Sequence, residues 1–159
     1  MDCTKVNIYL GASSLRTCLG DKMETLAALR NCESGLAYSD VYAMPIGVAC
    51  VKEYEGYTRF ESLLIEQLQS VVEASGVDLS DDDTQLVIST TKGNVDYLER
   101  DCEEIPERAY IDVAAQLVTN YFRCKNKPII ISNACISGVS AFVVARWLLT
   151  SGKSKHVVV

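Results

Sequence analysis

The chain has 159 residues, a net charge of −6, seven cysteines and one histidine. Its length and its 48% hydrophobic content predict a single globular domain with a real core. The negative net charge argues against nucleic-acid binding, and no apolar stretch is long enough for a signal region or a membrane span. We therefore expect a cytoplasmic protein. An odd number of cysteines without a C-x-x-C pair argues against both a disulfide framework and a metal site.

Along the chain, the hydrophobic pattern alternates between strand-like and helix-like periodicity. It predicts strands at 5–11, 45–51, 86–88 and 129–131 and from His156 onward, and helices at 22–31, 59–75, 106–121 and 136–150. Asp21 is a suitable N-cap for the first helix, Gly76 a suitable C-terminal glycine for the second, and Pro106 opens the third. This order predicts an α/β fold with a mostly parallel sheet and flanking helices.

Two stretches have unusual charge. The acidic loop from Asp78 to Asp83 lacks the spaced oxygens and closing glutamate of a calcium loop, so we interpret it as a solvated connection. Residues 121–159 hold six Lys or Arg and no acidic residue. The cysteine-bearing end is therefore predicted to be cationic and to attract an acidic partner, although the same lysines and arginines are equally consistent with two solvated loops.

The strand at Leu86–Ile88 opens into a loop that contains Lys92 and Gly93. Functional loops gather at the carboxyl ends of strands in an open α/β sheet, so this loop is a candidate binding element. A glycine-bearing loop here could hold phosphate, but T-T-K-G does not match the phosphate-loop pattern and the nucleotide interpretation is weak.

Cys135 stands where the predicted strand at 129–131 turns sharply into the helix at 136–150. Backbone N–H groups and the helix dipole at such a position favour the thiolate and could hold an oxyanion, which predicts a nucleophile. The alternative is that Cys135 is a small buried hydrophobic residue, as many free cysteines are.

The run S-N-A-C-I-S-G-V-S-A at 132–141 and the run L-L-T-S-G-K-S-K-H-V-V-V at 148–159 resemble the active-site segment of the β-ketoacyl-acyl-carrier-protein synthases. These are condensing enzymes of the thiolase-like superfamily. L-V-I-S-T-T-K-G at 86–93 and V-N-I-Y-L-G-A at 6–12 resemble further pieces of the family in the same order. The resemblance covers residues 1–159 as the N-terminal half of the family's domain, and it implies that the C-terminal half is absent.

The resemblance implies that Cys135 takes an acyl group from acyl carrier protein and that a malonyl carrier protein then condenses with it, in fatty acid or polyketide synthesis. The loop with Lys92 and Gly93 would line the acyl site, although lysine is unexpected there. No cofactor is implied beyond the carrier's phosphopantetheine. The family's second half supplies histidines, and His156 is expected on the far side of the sheet from Cys135, so the isolated chain is expected to be inactive in condensation.

Two alternatives remain. A non-catalytic partner subunit of a synthase heterodimer would use the fold for association, but such relatives replace the cysteine. A cysteine hydrolase would need a glycine two residues before the nucleophile, where Asn133 stands, and a histidine base. The helix at 136–150 is apolar on nearly every face, so one sheet covers only part of it, and we expect a homo-oligomer.

Overall fold

The structure is a computed structural model that describes residues 7–99 and 104–159. Its helices are α1 (Lys22–Arg30), α2 (Arg59–Ser75), α3 (Ile111–Tyr121) and α4 (Ser137–Thr150). Its strands are β1 (Ala37–Ser39), β2 (Met44–Ile46), β3 (Thr84–Ser89), β4 (Ile129–Ile131) and β5 (His156–Val158). None of the helices in the described ranges combines the length and apolar character needed to cross a bilayer.

The central sheet has three parallel strands in the order β4-β3-β5. Val87 of β3 lies opposite Ile129 of β4, and Thr84 of β3 lies opposite His156 of β5. The predicted parallel sheet is thus confirmed. Strand β4, however, is an outer strand of the sheet and is only half-buried, where a strand buried on both faces was expected. Strands β1 and β2 form a separate antiparallel pair.

Side chains of β3 alternate between two cores, as the period of two in a strand requires. Leu86 and Ile88 pack in one core with residues of α2 and α3, whereas Val87 packs in the other with Ala141 and Leu148 of α4. Helices α2 and α3 therefore cover one face of the sheet and α4 covers the other. This arrangement confirms the predicted flanking helices.

Helix boundaries follow the capping chemistry in the sequence. Asp21 caps α1 and Thr58 caps α2, each in a reciprocal capping box with a glutamate three residues later. Helix α2 ends at Ser75 and is capped by Gly76, whose φ of 70° is left-handed and suits a residue without a Cβ. These predicted helices are confirmed.

The third helix begins later than predicted. After Pro106, residues Glu107–Ala109 form a single 3₁₀ turn, and Tyr110 is extended before α3 begins at Ile111. The 3₁₀ turn places Arg108 against the buried Glu61 of α2, a contact between segments distant in sequence that the local helix signal at Pro106 does not contain.

Two predicted strands are wrong in the described residues. Residues 7–11 form no strand, since nothing pairs with them and Tyr9 and Leu10 are exposed; Lys5 and Val6 lie outside the described residues. The strand predicted at 45–51 is only β2, because β1 offers three residues to pair with. An alternating apolar pattern is not sufficient without a neighbouring strand.

Helix α4 has two different faces. Ala141, Ala145 and Leu148 are buried against the sheet. The opposite surface, which we call the α4 outer face, is apolar and more than half exposed; it consists of Val139, Phe142, Val143 and Trp147. The prediction that one sheet would leave part of this helix uncovered is confirmed for the described residues.

Candidate functional site

Cys135 lies in the connection between the end of β4 and the start of α4. It belongs to a short 3₁₀ turn, Ala134–Ile136, so α4 itself begins two residues after the thiol. Because β3 and β4 are parallel neighbours, the segments that follow them leave the same edge of the sheet. The Thr90 N–H donates to the Ile131 carbonyl oxygen (3.1 Å) and ties these two segments together.

The backbone at the cysteine turn is unusual. Ala134 has a φ of 45°, a left-handed conformation that disfavours an L-residue with a Cβ. The other non-glycine residues with positive φ among those described have ordinary settings: Cys32 and Arg123 follow helix ends, and Ala43 lies in the turn between β1 and β2. Strain at a strand-to-helix turn beside a nucleophilic side chain is typical of a functional site.

Ser137 holds the turn closed. Its buried hydroxyl accepts a hydrogen bond from the Asn133 N–H (2.7 Å) and donates one to the Ala134 carbonyl oxygen (2.8 Å). Asn133 Nδ2 also donates to Ser140 Oγ (3.3 Å). The residues on either side of Cys135 are thus fixed by side chains that precede and follow it.

The thiol itself is exposed, so Cys135 is not the small buried hydrophobic residue of the alternative interpretation. One expected feature is wrong: the N–H groups immediately after the cysteine are not free. Ile136 N–H donates to the Asn133 carbonyl oxygen and Ser137 N–H donates to the Ala134 carbonyl oxygen. The cause is the 3₁₀ turn, which uses these donors before the helix begins.

The loop after β3 is anchored at the same edge. Thr90 Oγ1 accepts hydrogen bonds from the Lys92 and Gly93 N–H groups, each at 3.1 Å. Lys92 is exposed, whereas Gly93 is buried with a φ of 60°, and a Cβ there would lie 3.0 Å from Ile111 Cγ1. Lys92 can therefore reach a ligand, and Gly93 allows the loop to pack against α3.

His156 lies at the opposite edge from Cys135. It pairs with Thr84 at the start of β3, and its side chain is exposed. The predicted separation of these two residues is confirmed. A base for Cys135 does not come from the chain's single histidine.

The predicted cationic character of the cysteine-bearing end is wrong. Five of the six basic residues in 121–159 precede β4 or β5 and therefore lie toward the opposite edge of the sheet: Arg123, Lys125, Lys127, Lys153 and Lys155. Lys125 and Lys155 pair with Asp82 and Asp83 of the acidic loop. The basic residues before β4 are close to Cys135 in sequence, but β4 lies between them and Cys135 and runs from one edge of the sheet to the other.

A buried polar cluster lies near the same edge as Cys135. Glu61 of α2 and Asn94, which follows Gly93, are both fully buried and contact Arg108. Burial alone raises the pKa of the Glu61 carboxyl, but hydrogen bonds from Arg108, the Thr58 N–H and Asn94 outweigh it and hold the pKa below its ordinary value. The hydrogen bond between Arg108 and Glu61 raises the pKa of Arg108.

Among residues 7–99 and 104–159, no group of three or more His, Cys, Asp or Glu side chains is arranged to hold a metal ion. In the acidic loop, Asp78 instead accepts hydrogen bonds from the N–H and hydroxyl of Ser80. These hydrogen bonds hold the pKa of the Asp78 carboxyl below its ordinary value.

The comparison with solved structures decides the fold. A beta-ketoacyl synthase from Burkholderia phymatum superimposes with a TM-score of 0.68 and 17% sequence identity, over 91% of this chain and 43% of that chain. The ishigamide ketosynthase/chain length factor superimposes with a TM-score of 0.69 and 14% identity, over 91% of this chain and 49% of that one. The chain has a ketosynthase-like fold.

The chain spans less than half the length of each of these two ketosynthases. No family model matches the sequence, and no curated protein matches it. The α/β, thiolase-like half-domain expected from the resemblance is confirmed as a fold. At these identities the likeness carries no activity with it.

Sequence reasoning missed Ser137 and the Glu61 cluster. Ser137 stands two positions after the cysteine, and a serine hydroxyl there can form hydrogen bonds with the neighbouring backbone. For Glu61 a signal did exist: Thr58-x-x-Glu61 before an apolar run is a capping box. Asn94 and Arg108 had no local signal, because their partners are distant in sequence.

Proposed function

We propose that Cys135 is the acyl-accepting nucleophile of a ketosynthase-type condensing enzyme. The observation that carries the proposal is an exposed thiol on a strained strand-to-helix turn, at the carboxyl edge of the sheet, in a ketosynthase-like fold. The thiolate attacks the carbonyl carbon of an acyl thioester. A carbon–sulfur bond to Cys135 forms, the bond to the carrier's sulfur breaks, and the carrier thiolate leaves and takes up a proton.

Condensation with a malonyl group requires more than this thiol. Loss of carbon dioxide develops negative charge on a thioester oxygen, and Cys135 cannot both carry the acyl group and stabilise that charge. The single histidine of the chain is at the opposite edge of the sheet. We therefore expect these 159 residues to perform acyl transfer and to depend on histidines from outside them for condensation.

The substrate would reach Cys135 on the phosphopantetheine arm of an acyl carrier protein, with no further cofactor. Lys92 would contact the substrate, since its side chain is exposed on the neighbouring loop, and Gly93 would act by shaping that loop. The condensation product would enter fatty acid or polyketide synthesis. We place this chemistry in the cytoplasm.

The α4 outer face supports association of the chain as a homo-oligomer, since apolar surface of this extent favours burial. A second candidate function is a non-catalytic partner subunit of a synthase heterodimer. One solved structure with this fold is a ketosynthase/chain length factor, which favours that candidate. The exposed Cys135 favours the catalytic one, and acylation distinguishes them.

The test is incubation of the purified chain with hexanoyl-pantetheine, followed by peptide mapping by mass spectrometry. We expect the acyl group on Cys135 and its loss in a Cys135→Ser variant. Cys32 is the matched control, because its thiol is also exposed but follows a helix end. Acylation of Cys32 and Cys135 to the same extent would show that the reaction is nonspecific, and no acylation would favour the partner-subunit role.

A further inference from the structure

Four residues from three separate segments form what we call the carboxylate network: Thr58, Glu61, Asn94 and Arg108. Glu61 Oε1 accepts hydrogen bonds from Asn94 Nδ2 (2.8 Å) and Arg108 Nε (3.0 Å). Glu61 Oε2 accepts from the Thr58 N–H (3.0 Å) and forms a second contact with the Arg108 guanidinium. Asn94 Oδ1 accepts from Thr58 Oγ1 (2.6 Å), and its amide also donates to the Arg108 carbonyl oxygen (2.8 Å).

Stability alone does not account for this network. Glu61 and Asn94 are both 0% exposed, and removing a carboxylate from water is costly even when it is paired. Apolar residues of similar volume often hold a fold equally well at such positions. A fully hydrogen-bonded charge pair also fixes one relative position of the segments that it joins, because its donors and acceptors are all satisfied in only one arrangement.

The segment that the network holds is the loop that follows β3, and the cysteine turn follows the neighbouring parallel strand β4. Asn94 directly follows Gly93, so the network holds the end of the loop that begins at Thr90. The start of the loop is tied to β4 by the hydrogen bond from the Thr90 N–H to the Ile131 carbonyl oxygen. Residues 90–94 are therefore held at both ends, and the cysteine turn leaves the sheet next to them.

Lys92 is the exposed charge in this doubly anchored loop. No hydrogen bond or ion pair within the described residues engages its ammonium group, in contrast to Lys125 and Lys155, which are paired with aspartates. We propose that the carboxylate network positions Lys92 beside Cys135, where its charge recognises an anionic group of the substrate. This inference rests on the proposed acyl transfer for the identity of the substrate, and on geometry for the position of Lys92.

The position of Lys92 is measured by the charge selectivity of the thiol. Cys135 is alkylated with iodoacetate, which is anionic, and with iodoacetamide, which is neutral, at low salt, and the ratio of the two rate constants is read by peptide mapping. A nearby ammonium group raises this ratio about threefold, and Lys92→Gln removes the increase. Lys92→Arg keeps the charge and retains the ratio. The ratio at the Cys32 peptide is the internal control.

The positioning role is tested with two matched variants on the same helix. Glu61→Gln breaks the network. Glu66→Gln breaks a similar pair, in which Glu66 contacts Arg16 and the Lys52 N–H, but which does not touch the loop. We expect Glu61→Gln to lower the Cys135 ratio as Lys92→Gln does, and Glu66→Gln to leave it unchanged. If Glu61→Gln does not fold, Thr58→Val removes the hydrogen bond to Asn94 and the N-cap hydrogen bond from the Glu61 N–H, but it keeps the ion pair between Glu61 and Arg108.

Two results would overturn the inference. An unchanged ratio in Lys92→Gln, whose exposed side chain can be replaced without unfolding, would show that Lys92 does not act on Cys135. An unchanged ratio in a folded network variant would show that the network only supports the fold. Neither readout requires acyl transfer, so the proposed function can fail separately.

The anion could be the carrier arm's phosphate or a carboxylate on the acyl group. Three thioesters separate these sources: hexanoyl-pantetheine, hexanoyl-phosphopantetheine and a pantetheine thioester of a dicarboxylic acid. If Lys92→Gln is acylated more slowly than the wild type by hexanoyl-phosphopantetheine alone, the anion is the phosphate. If it is acylated more slowly by the dicarboxylic acid thioester alone, the anion is the carboxylate. Equal slowing with all three would contradict anion recognition. If no thioester acylates the wild-type chain while the alkylation ratio holds, acyl transfer is refuted and the position of Lys92 is not.

Discussion

Replacing the two aromatic residues of the α4 outer face should abolish self-association without unfolding the chain. Phe142 and Trp147 are 56% and 54% exposed. A fully exposed aromatic side chain presents about 200 Å², so each of them leaves about 110 Å² in water, equivalent to about 2.7 kcal/mol when buried. In a contact between two such faces these four aromatic side chains would supply about 11 kcal/mol, which is comparable with the association cost of about 4 to 15 kcal/mol. Without them the rest of the α4 outer face would not offset that cost, so the double variant should be monomeric.

The assay is sedimentation velocity at micromolar concentration with the wild-type chain and a Phe142→Ser, Trp147→Ser double variant. We expect an oligomer for the wild type and a monomer for the variant, with equal circular dichroism. Tyr38→Ser, Tyr42→Ser is the matched control, because both tyrosines are 66% exposed but lie on the antiparallel β1–β2 pair and its turn. A monomeric wild type, or the same effect from the tyrosine control, would refute association through α4.

Three further predictions concern stability and are read by chemical denaturation. Because the pKa of Glu61 is lowered in the folded state, its contribution to stability is full at neutral pH and is lost as the pH falls below the ordinary range of a glutamate carboxyl. The loss of about 3 kcal/mol expected for Glu61→Gln at neutral pH should therefore shrink in acid. Gly93→Ala should destabilise by about 1 to 2 kcal/mol, because φ is 60° and the new Cβ would crowd Ile111. Thr84→Val should be neutral or stabilising by about 1 kcal/mol, since the buried Thr84 hydroxyl has no hydrogen-bond partner among the described residues. Thr119→Val is the control and should destabilise the chain, because the Thr119 hydroxyl donates to the Gln116 carbonyl oxygen. A constant Glu61 difference across pH, a neutral Gly93→Ala or equal losses at the two threonines would contradict the respective reasoning.

The helices were the most predictable part of the fold, because their signals are local. Asp21 indicates where α1 begins and Gly76 indicates where α2 ends, and the structure agrees at both. Strands depend on partners elsewhere in the chain. The alternation at 7–11 is as clear as that of any strand here, but no neighbour pairs with it in the described residues, and periodicity contains no information about that.

The candidate site also contains residues that the sequence could indicate and contacts that it could not. Cys135, Lys92 and Gly93 could be proposed from the sequence, since each follows a short apolar strand and loops at the carboxyl ends of parallel strands converge. The link between Glu61, Asn94 and Arg108 could not, because these residues are separated by up to 47 positions in sequence. The charge of the cysteine-bearing end was mispredicted because basic residues before β4 and the thiol after it lie at opposite edges of the sheet.

The most direct test of acyl transfer to Cys135 uses an acyl carrier protein charged with a hexanoyl group. Both proteins are weighed by intact-mass spectrometry as a function of time, and the acylated peptide is then mapped. We expect the chain to gain one acyl group at Cys135 while the carrier protein loses one, with no transfer to Cys135→Ser. Loss of the acyl group from the carrier at the same rate with and without the chain, and no mass gain at Cys135, would contradict the proposed function.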